Sequence, residues 1–405
     1  MYLYVHIPFC LSKCDYCDFF SVPCGSAAHA VGDEYISAVI AEAQYKARLY
    51  GIDRWQTIYI GGGTPSLLEP EQLPMLVDAL KKCVPDNTVD EITVEMNPET
   101  LTKEKLASAN QAGVTRLSLG VQSLSDDCLS EVHRHCSARQ ARTALDDART
   151  YFKGDLNVDV IAGLQSEAHT PCDNKRFFID TINSLCAYKP EHFSLYTLTL
   201  EEGTPLYKRL SGGNKWDCGD ADDLWLLGRK MLESSGMEQY EVSNFALRGH
   251  ESVHNKAYWK QLDYIGCGAG ACGTLYSFDG TPGKRATNTT DISSYVSFWN
   301  SSASDLKKLP AQMENLSIET EEFEFLMMGL RTKDGVDAGV YRTRFHDVAP
   351  WNGDLSARFK GAGREIEDFF DKGYITVYKN RHQENIYTLS PDGILFLNTV
   401  LRAFL

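Results

Sequence analysis

Long apolar runs are missing from this sequence. No uninterrupted apolar stretch approaches the roughly eighteen residues that a membrane-spanning helix needs, and no basic segment followed by an apolar core opens the chain. Neither a transmembrane protein nor a secreted one is therefore indicated. We expect a cytoplasmic protein, with a peripheral position at the inner face of a membrane as the alternative.

Positive charge is also scarce. The chain has 40 Lys and Arg against 55 Asp and Glu, which gives a formal net charge of −15 at pH 7. Such a surface repels the phosphates of nucleic acids, so we expect no nucleic-acid partner. The stretch Gly61-Gly-Gly-Thr-Pro65 lacks the Gly-Lys-Ser/Thr of a Walker loop and the spacing of a dinucleotide fingerprint, although its glycines would let a ligand approach the backbone closely.

What the chain contains is typical of a large globular protein. Its 405 residues exceed one ordinary domain, and 43% apolar with 23% charged residues supply a sizeable core. Twelve cysteines are spread along the chain rather than concentrated in a short secreted framework, so most of them are expected to be free thiols.

Three of the cysteines stand close together, at Cys10, Cys14 and Cys17, behind the apolar run of residues 2–7. Three thiolates in one loop suit an iron–sulfur cluster, and a complete [4Fe–4S] cube takes four ligands. One iron would then stay open to a small molecule, which indicates chemistry rather than structural support. A zinc knuckle and three unrelated thiols are the alternatives, although no second Cys/His pair follows at zinc-finger spacing. Cys24 is a further candidate ligand.

Strand-like and helix-like segments alternate over the first half of the chain. This order predicts parallel β/α units, in an α/β fold that forms an incomplete barrel or an open sheet. The predicted strands cover residues 2–7, 57–60, 91–95, 116–122, 156–161 and 192–198.

Polar residues and a glycine gather near the carboxyl ends of these strands, where β/α folds bind their ligands. Charged and amide groups among them could hold a ligand with an amino-acid head and a ribose, because carboxylates pair with amino groups and hydroxyls, and arginine pairs with carboxylates. The alternative is that they are caps and loop salt bridges. The residues concerned, together with Arg134, are Cys10, Gly62, Glu95, Gln122, Asp159 and Thr197.

The last quarter of the chain predicts a second unit. Residues 300–314 are polar and indicate a linker between a domain at 1–300 and one at 315–405. Three helices and a hairpin are predicted in the second unit, and together they resemble a winged-helix module. The segment is not basic, so we expect it to pack or to contact a partner rather than to bind DNA. The predicted helices cover residues 321–331, 356–372 and 391–405, and the hairpin covers 374–378 and 385–389.

The stretch His254-Asn-Lys-Ala-Tyr-Trp259 places an imidazole near two aromatic side chains. Histidine is a common axial ligand of heme iron, and aromatic rings can cover a porphyrin face, so His254, Tyr258 and Trp259 are candidates for a heme site. A structural histidine with core aromatics is the alternative. His133 and His135 are open to the same two interpretations.

Taken together, the motifs resemble those of radical S-adenosylmethionine (SAM) proteins, in the subgroup of oxygen-independent coproporphyrinogen III oxidase. They follow one another in one order over roughly the first three quarters of the chain. The matching stretches are Tyr4-Val-His-Ile-Pro-Phe-Cys10 with Cys14 and Cys17, Gly61-Gly-Gly-Thr-Pro-Ser66, Glu95-Met-Asn-Pro98, Gly120-Val-Gln-Ser123, Asn157-Val-Asp-Val-Ile161, Glu201-Glu-Gly-Thr-Pro205, Tyr240-Glu-Val-Ser-Asn244, His254-Asn-Lys-Ala-Tyr-Trp259 and Tyr264-Ile-Gly-Cys-Gly-Ala-Gly270.

Within this subgroup the chain is most similar to the heme chaperones. The oxidase carries a fourth cysteine two residues beyond the third, where this chain has Phe19, and the His-Asn-x-x-Tyr-Trp stretch marks the chaperone group. The resemblance therefore implies heme binding without coproporphyrinogen oxidation.

The resemblance implies a partial (β/α)6 barrel followed by a winged-helix-like α+β domain. Cys10, Cys14 and Cys17 would hold a [4Fe–4S] cluster, and SAM would chelate the open iron through its amino and carboxylate groups. Tyr4 and Tyr16 would border the cluster and SAM.

Further binding residues follow from the same resemblance. The methionine part of SAM would contact Gly62, Gly63, Thr64 and Glu95. Heme would bind through a histidine, with His254 as the first choice. Positions that match a second SAM site of the oxidase are Gln122, Arg134, Asp159, Thr197 and Cys272.

The expected function is heme binding and delivery to apo-hemoproteins or respiratory-chain proteins. One alternative is the oxidative decarboxylation of coproporphyrinogen III to protoporphyrinogen IX. Others are another radical SAM reaction on a tetrapyrrole and a partner-recruiting winged-helix protein whose cluster is only structural. Productive SAM cleavage and homodimer formation stay open at this point.

Overall fold

A computed structural model describes residues 1–26, 30–211, 220–276, 282–301 and 311–405. Its strands, in chain order, are β1 (Tyr2–Ile7), β2 (Phe9–Cys10), β3 (Val22–Pro23), β4 (Thr57–Gly62), β5 (Glu91–Met96), β6 (Arg116–Gln122), β7 (Asp155–Ala162), β8 (His192–Thr197), β9 (Glu238–Gln239), β10 (Asn244–Ala246), β11 (Tyr264–Cys267), β12 (Cys272–Leu275), β13 (Gly283–Asn288), β14 (Ala311–Leu316), β15 (Val336–Asp337), β16 (Ile375–Lys379) and β17 (Asn385–Leu389).

Helices separate most of these strands. They are α1 (Asp33–Leu49), α2 (Gln72–Lys81), α3 (Lys103–Ala112), α4 (Asp126–Glu131), α5 (Ala138–Tyr151), α6 (Pro171–Ala187), α7 (Pro205–Ser211), α8 (Asp220–Ser234), α9 (Val253–Trp259), α10 (Ile292–Asn300), α11 (Ile318–Gly329), α12 (Ala338–Arg344), α13 (Leu355–Gly361), α14 (Arg364–Asp371) and α15 (Leu397–Arg402). In the described part of the chain, no helix has the length and apolar character needed to cross a membrane.

One twelve-stranded sheet forms the centre of the molecule. Its order is β14-β13-β12-β11-β1-β4-β5-β6-β7-β8-β10-β9, and β1 with β4 to β8 pair in parallel. This confirms the six parallel β/α units that the alternation predicts. The strand order runs from β14 at one edge to β9 at the other without closing, as an incomplete barrel requires.

Alternation along each parallel strand separates an apolar face from a polar one. Leu3, Val5, Ile58, Ile60 and Val94 are fully buried and belong to one core with the apolar positions of the helices. The residues between them in sequence point to the other face. That inner face therefore carries tyrosines, carboxylates and hydroxyls, and it forms the wall of the site described below.

The strands that flank the six predicted ones were not predicted; β11 pairs in parallel with β1, and the others pair antiparallel. β11 to β14 and β9 to β10 are short, and their exposed residues do not alternate in polarity with a strand period. The predicted linker at residues 300–314 is partly such a strand, because 311–314 lie in β14, which pairs with β13. Residues 302–310 of that linker lie outside the described residues.

The C-terminal part has its own core and a three-stranded sheet in the order β15-β17-β16. The predicted hairpin is present as β16 and β17. The predicted helix over 356–372 is interrupted, because α13 ends at Gly361 and Gly363, with a φ of 93°, precedes α14. Backbone contacts join this part to the barrel: Lys333 N donates to Tyr240 O at 3.0 Å, and Glu241 forms a β-bridge with Thr332.

A buried ion pair ties α1 to the loop between β11 and β12. The Glu42 carboxylate lies 2.7 Å from Lys46 Nζ one helical turn away, and it also accepts hydrogen bonds from Tyr295, Gly268 and Asn288. Lys46 in turn donates to Gly266 O at 2.8 Å. Removing one partner would leave a buried charge without compensation.

We expect Glu42→Ala to lower the free energy of unfolding by about 3–5 kcal/mol, because the Lys46 ammonium loses its buried counter-charge. The matched control is Asp78→Ala, which breaks the exposed pair of the same spacing with Lys82 and should leave the urea midpoint unchanged. Urea unfolding followed by far-UV circular dichroism measures both. Equal midpoints for the two variants would contradict a stabilising role for the buried pair.

Candidate functional site

A cavity of about 440 Å³ opens at the carboxyl ends of the parallel strands. It is lined by every residue predicted to hold the cluster or SAM except Tyr4 and Cys272. The predicted residues that line it are Cys10, Cys14, Tyr16, Cys17, Gly62, Gly63, Thr64, Glu95, Gln122, Arg134, Asp159 and Thr197. The fold thus brings together side chains that are far apart in sequence.

The cysteine loop is held by the glycine turn that follows β4. Gly63 N donates to Ile7 O and Thr64 N donates to Phe9 O, both at 2.8 Å. The Thr64 hydroxyl reaches the Cys10 sulfur at 3.4 Å. These contacts place the first cysteine of the triad directly beside the turn.

Two positions of this turn have no room for a Cβ atom and therefore require glycine. Gly62 has a φ of 113°, and a Cβ there would lie 2.4 Å from a ring nitrogen of His6. A Cβ on Gly63 would lie 2.6 Å from Phe9 O. Only glycine allows the two segments to come this close.

The thiols of the triad are partly buried. Burial raises the pKa of Cys10, and it raises the pKa of Cys17 to about 11. Cys24 is directed elsewhere, because its thiol donates to the backbone oxygens of Cys10 and Ser26. Three cysteines, and not four, therefore line the cavity.

The donor set fits a cluster better than a single ion. Among the residues that the structure describes, no three His, Cys, Asp or Glu side chains are grouped to hold one metal ion. A cubane cluster has a different requirement, because each thiolate binds its own iron. Thiolates are the ligands that such clusters take, and the adjoining cavity leaves room for a molecule at a fourth iron.

Buried polar atoms without partners also line the cavity. They are Oε1 of Gln122, Nε of Arg134 and Oε2 of Glu99. Buried polar groups are normally hydrogen-bonded, so these three atoms fit a polar ligand in this space. Gln122 adds backbone strain, since its φ is 65° at a point where the β6–β7 register shifts.

Arg134 holds the far side of the cysteine loop. Its guanidinium contacts the Cys14 sulfur at 3.7 Å, the Tyr16 hydroxyl at 3.3 Å and Asn97 Oδ1 at 3.3 Å, and it donates to Gly120 O. The guanidinium therefore places a positive charge beside the sulfur of the second cysteine of the triad.

Two carboxyl groups stand on the inner face behind these residues. Burial raises the pKa of Glu95 to about 7, and the nearby Asp159 carboxylate acts in the same direction. Glu95 accepts hydrogen bonds from the Tyr59 hydroxyl at 2.6 Å and from Gly62 N at 3.1 Å. Burial also raises the pKa of Asp159, although Asn157 and Ser118 donate to it at 2.7 and 3.0 Å.

Tyr59, Asn97 and Tyr196 are site residues that the sequence analysis missed. Asn97 and Tyr196 line the cavity, and Tyr59 lines a smaller polar space of about 40 Å³ directly beneath Glu95. The available signal was the alternation along each strand, which places Tyr59 of β4 and Tyr196 of β8 on the polar face. The smaller space has room for about one water molecule.

The predicted heme residues do not lie at this cavity. His254 is 1% exposed and sits at the opposite ends of the strands, where its ring nitrogens pair with the hydroxyls of Thr57 at 2.6 Å and Tyr258 at 2.8 Å. Burial lowers its pKa to about 3. Glu91 accepts from the backbone N–H of His254 at 3.0 Å and so fixes the start of α9. In this arrangement both ring nitrogens of His254 are hydrogen-bonded within the fold, and its role as a heme ligand stays a prediction.

The remaining predicted residues lie apart from the cavity as well. Tyr258 stacks edge-on with Tyr264 at 4.6 Å, and Arg331 lies 5.8 Å from the ring centre of Trp259. The Tyr4 hydroxyl pairs with His6 Nδ1 at 2.8 Å beside the glycine turn. Cys272 lies on β12, where its sulfur accepts from Thr287 at 3.6 Å.

The other two histidines of interest are exposed. His135 lines the cavity, and His133 pairs with Asp15 at 2.8 Å.

Parallel β/α units that carry three cysteines after the first strand, next to a Gly-Gly-Gly-Thr-Pro turn, define a radical SAM protein. Residues 4–169 match the family model of the radical SAM superfamily. The chain is 31% identical to heme chaperone HemW of Bacillus subtilis over 405 residues, covering 99% of this chain and 98% of that protein. It is 30% identical to heme chaperone HemW of Escherichia coli, with 100% and 97% covered. The chain therefore belongs to the HemW family of radical SAM proteins.

Two further relatives extend the comparison. A mouse mitochondrial protein, radical S-adenosyl methionine domain-containing protein 1, is 32% identical over 382 residues, with 92% of this chain and 81% of that protein covered. The solved structure of coproporphyrinogen III oxidase (HemN) from Escherichia coli, a radical SAM enzyme, superposes with a TM-score of 0.76 at 20% identity, covering 100% of this chain and 89% of that one. The second likeness confirms the partial-barrel fold.

We expect Cys10→Ala, Cys14→Ala and Cys17→Ala each to reduce the iron bound after anaerobic reconstitution to less than about one atom per chain, because a cube with two protein thiolates is not retained. Iron and sulfide analysis with the visible absorption spectrum measures this. Cys24→Ala is the matched control and should keep the wild-type content. A Cys24→Ala protein as depleted as the triad variants would mean that Cys24 is a fourth ligand.

Proposed function

We propose that this protein is a heme chaperone that binds heme and a [4Fe–4S] cluster with SAM and delivers heme to apo-hemoproteins such as respiratory enzymes. The observation that carries the proposal is the end-to-end similarity to relatives named heme chaperone HemW. The recipients we propose are proteins, in keeping with a net charge of −15 that disfavours nucleic acids. We place this function in the cytoplasm.

We assign Cys10, Cys14 and Cys17 as the cluster ligands. When bound and reduced, the cluster supplies an electron that can cleave SAM. The residues of this chain hold and shield the ligand: Gly62 and Gly63 allow close approach of the backbone, and the Glu95 carboxylate accepts hydrogen bonds from an amino group.

We assign the positions that match a second SAM site to the remainder of a single SAM molecule. Gln122, Arg134, Asp159 and Thr197 line the same cavity as Glu95, whereas Cys272 does not. An arginine, an amide and a carboxylate suit the polar groups of a nucleoside.

The side chain at the mouth of the cavity supports a chaperone over a coproporphyrinogen oxidase. Phe19 is 66% exposed and lines the cavity two residues beyond Cys17. A phenyl ring offers an apolar surface to a macrocycle, whereas the oxidase has a cysteine at this position.

The axial ligand of heme is a histidine in this proposal. Ligation by His254 requires that one of its two ring hydrogen bonds breaks and that α9 moves. His135 is exposed at the cavity and needs no such rearrangement. Separate substitution of the two histidines distinguishes the sites.

We expect anaerobically reconstituted protein to bind hemin with a stable Soret band and to transfer it to an apo-hemoprotein, because a histidine-ligated heme absorbs there and a chaperone must release its cargo. Coproporphyrinogen with SAM and reductant should not be converted. Rapid formation of protoporphyrinogen, or no heme binding, would contradict the proposal. The same titration on His254→Ala and His135→Ala identifies the ligand as the histidine whose loss shifts or removes the band.

A further inference from the structure

Tyr59 connects the two ends of the barrel. Its hydroxyl donates to Glu95 Oε1 at 2.6 Å, and its ring packs against His254 with a centroid distance of 5.0 Å. Tyr59 lies on the inner face of β4, two residues before the first glycine of the Gly61-Gly-Gly63 turn, and outside the motifs of the sequence. Its hydroxyl therefore contacts the carboxylate that we assign to SAM.

The Glu95 carboxylate is oriented from two sides. Tyr59 holds Oε1, and the backbone N–H of Gly62 holds Oε2 at 3.1 Å. Gly61 leaves room for the group, because a Cβ there would lie 2.8 Å from the carboxyl carbon. A carboxylate oxygen can accept more than one hydrogen bond, so each oxygen of Glu95 can also accept one from a ligand N–H group.

We propose that Tyr59 is a positioning residue for SAM: its hydroxyl keeps the Glu95 carboxylate in the orientation in which it accepts a hydrogen bond from the amino group of SAM. This inference rests on the proposed function, because it takes SAM as the ligand of the cavity. Tyr59 lies outside the motifs of the sequence, and its loss is expected to change how SAM affinity depends on pH.

The charged and hydrogen-bonding groups around Glu95 determine how its pKa, and with it SAM binding, responds to substitution. Burial, with a smaller contribution from the Asp159 carboxylate on β7, raises the pKa of Glu95, and the hydrogen bonds from Tyr59 and Gly62 lower it, so that together they give a pKa of about 7. The other titratable groups that face it are the phenols of Tyr4 on β1, Tyr196 on β8 and Tyr258 on α9. Burial raises the pKa of each phenol, so all three stay neutral near pH 7.

The protonation state of Glu95 determines whether SAM binding weakens at low or at high pH. A carboxyl group with a pKa near 7 is half protonated at neutral pH, and protonation removes its ability to accept at that oxygen. Loss of the Tyr59 hydroxyl raises the pKa of Glu95, which weakens SAM binding below pH 7. Loss of the Asp159 charge lowers the pKa of Glu95 and moves the profile the other way.

The test measures the SAM dissociation constant of cluster-loaded protein between about pH 6 and 8.5, from the change that SAM causes in the electron paramagnetic resonance spectrum of the reduced cluster. If Tyr59→Phe raises the pKa of Glu95 by about one unit, SAM binds about tenfold more weakly at pH 6 and less than about twofold more weakly at pH 8.5. Asp159→Asn should shift the midpoint of the profile to lower pH. The amino group of SAM titrates alike in all variants, so differences between profiles report on the protein.

Tyr264→Phe is the matched control. It removes a hydroxyl from the inner face of β11, where the partner is Thr274 at 3.3 Å and not Glu95, and it should reproduce the wild-type profile. Iron and sulfide content verifies equal cluster loading. A Tyr59→Phe profile that superposes on the wild-type profile would overturn the inference, as would shifts of the Tyr59 and Asp159 variants in the same direction. Wild-type protein that binds no SAM at any pH would instead overturn the proposed function.

Discussion

The hydrogen bonds between the cysteine loop and the glycine turn after β4 are the contacts on which the site depends. They join Ile7 and Phe9, just before the first cysteine, to Gly63 and Thr64. The two segments can meet only because glycine lacks a Cβ. With this contact made, the triad stands at the rim of the barrel, and the ends of the next four strands complete the cavity.

The two ends of the barrel present different polar groups. At the carboxyl ends, Gln122 and Arg134 keep buried atoms without partners, and two carboxyl groups have raised pKa values. At the amino ends, the ring nitrogens of His254 and the carboxylate of Glu91 are hydrogen-bonded to neighbouring hydroxyls and backbone N–H groups. One guanidinium nitrogen of Arg116 at that end has no partner among the described residues. Unpartnered buried groups that line an open cavity, as Gln122 and Arg134 do, are typical of a ligand site. Tyr59 touches both ends and links them.

Much of the fold and of the cavity could be predicted from local patterns. The six parallel strands followed from their alternation with helices, and the site residues followed from their positions at strand ends. Tyr59 was missed because its register on the polar face of β4 was its only signal, in a strand that is otherwise mostly apolar. Strands β9 to β12 were missed because two to four residues give too little periodicity, and β13 and β14 were missed because they carry few apolar residues. The burial of His254 could not be predicted, because a motif does not state how deep its residues lie in the fold.

By itself, the sequence determined the class of fold, the three-cysteine loop and the glycine turn, since each of these depends on residue type and short-range spacing. Only the tertiary structure decided which of the polar residues share one cavity, that Cys24 points to the backbone, and that His254 lies buried at the far end with both ring nitrogens occupied. The physical reason is that burial and hydrogen-bond pairing are set by residues from distant strands and helices. Neighbours in space, rather than neighbours in sequence, therefore determine which side chains are free to bind.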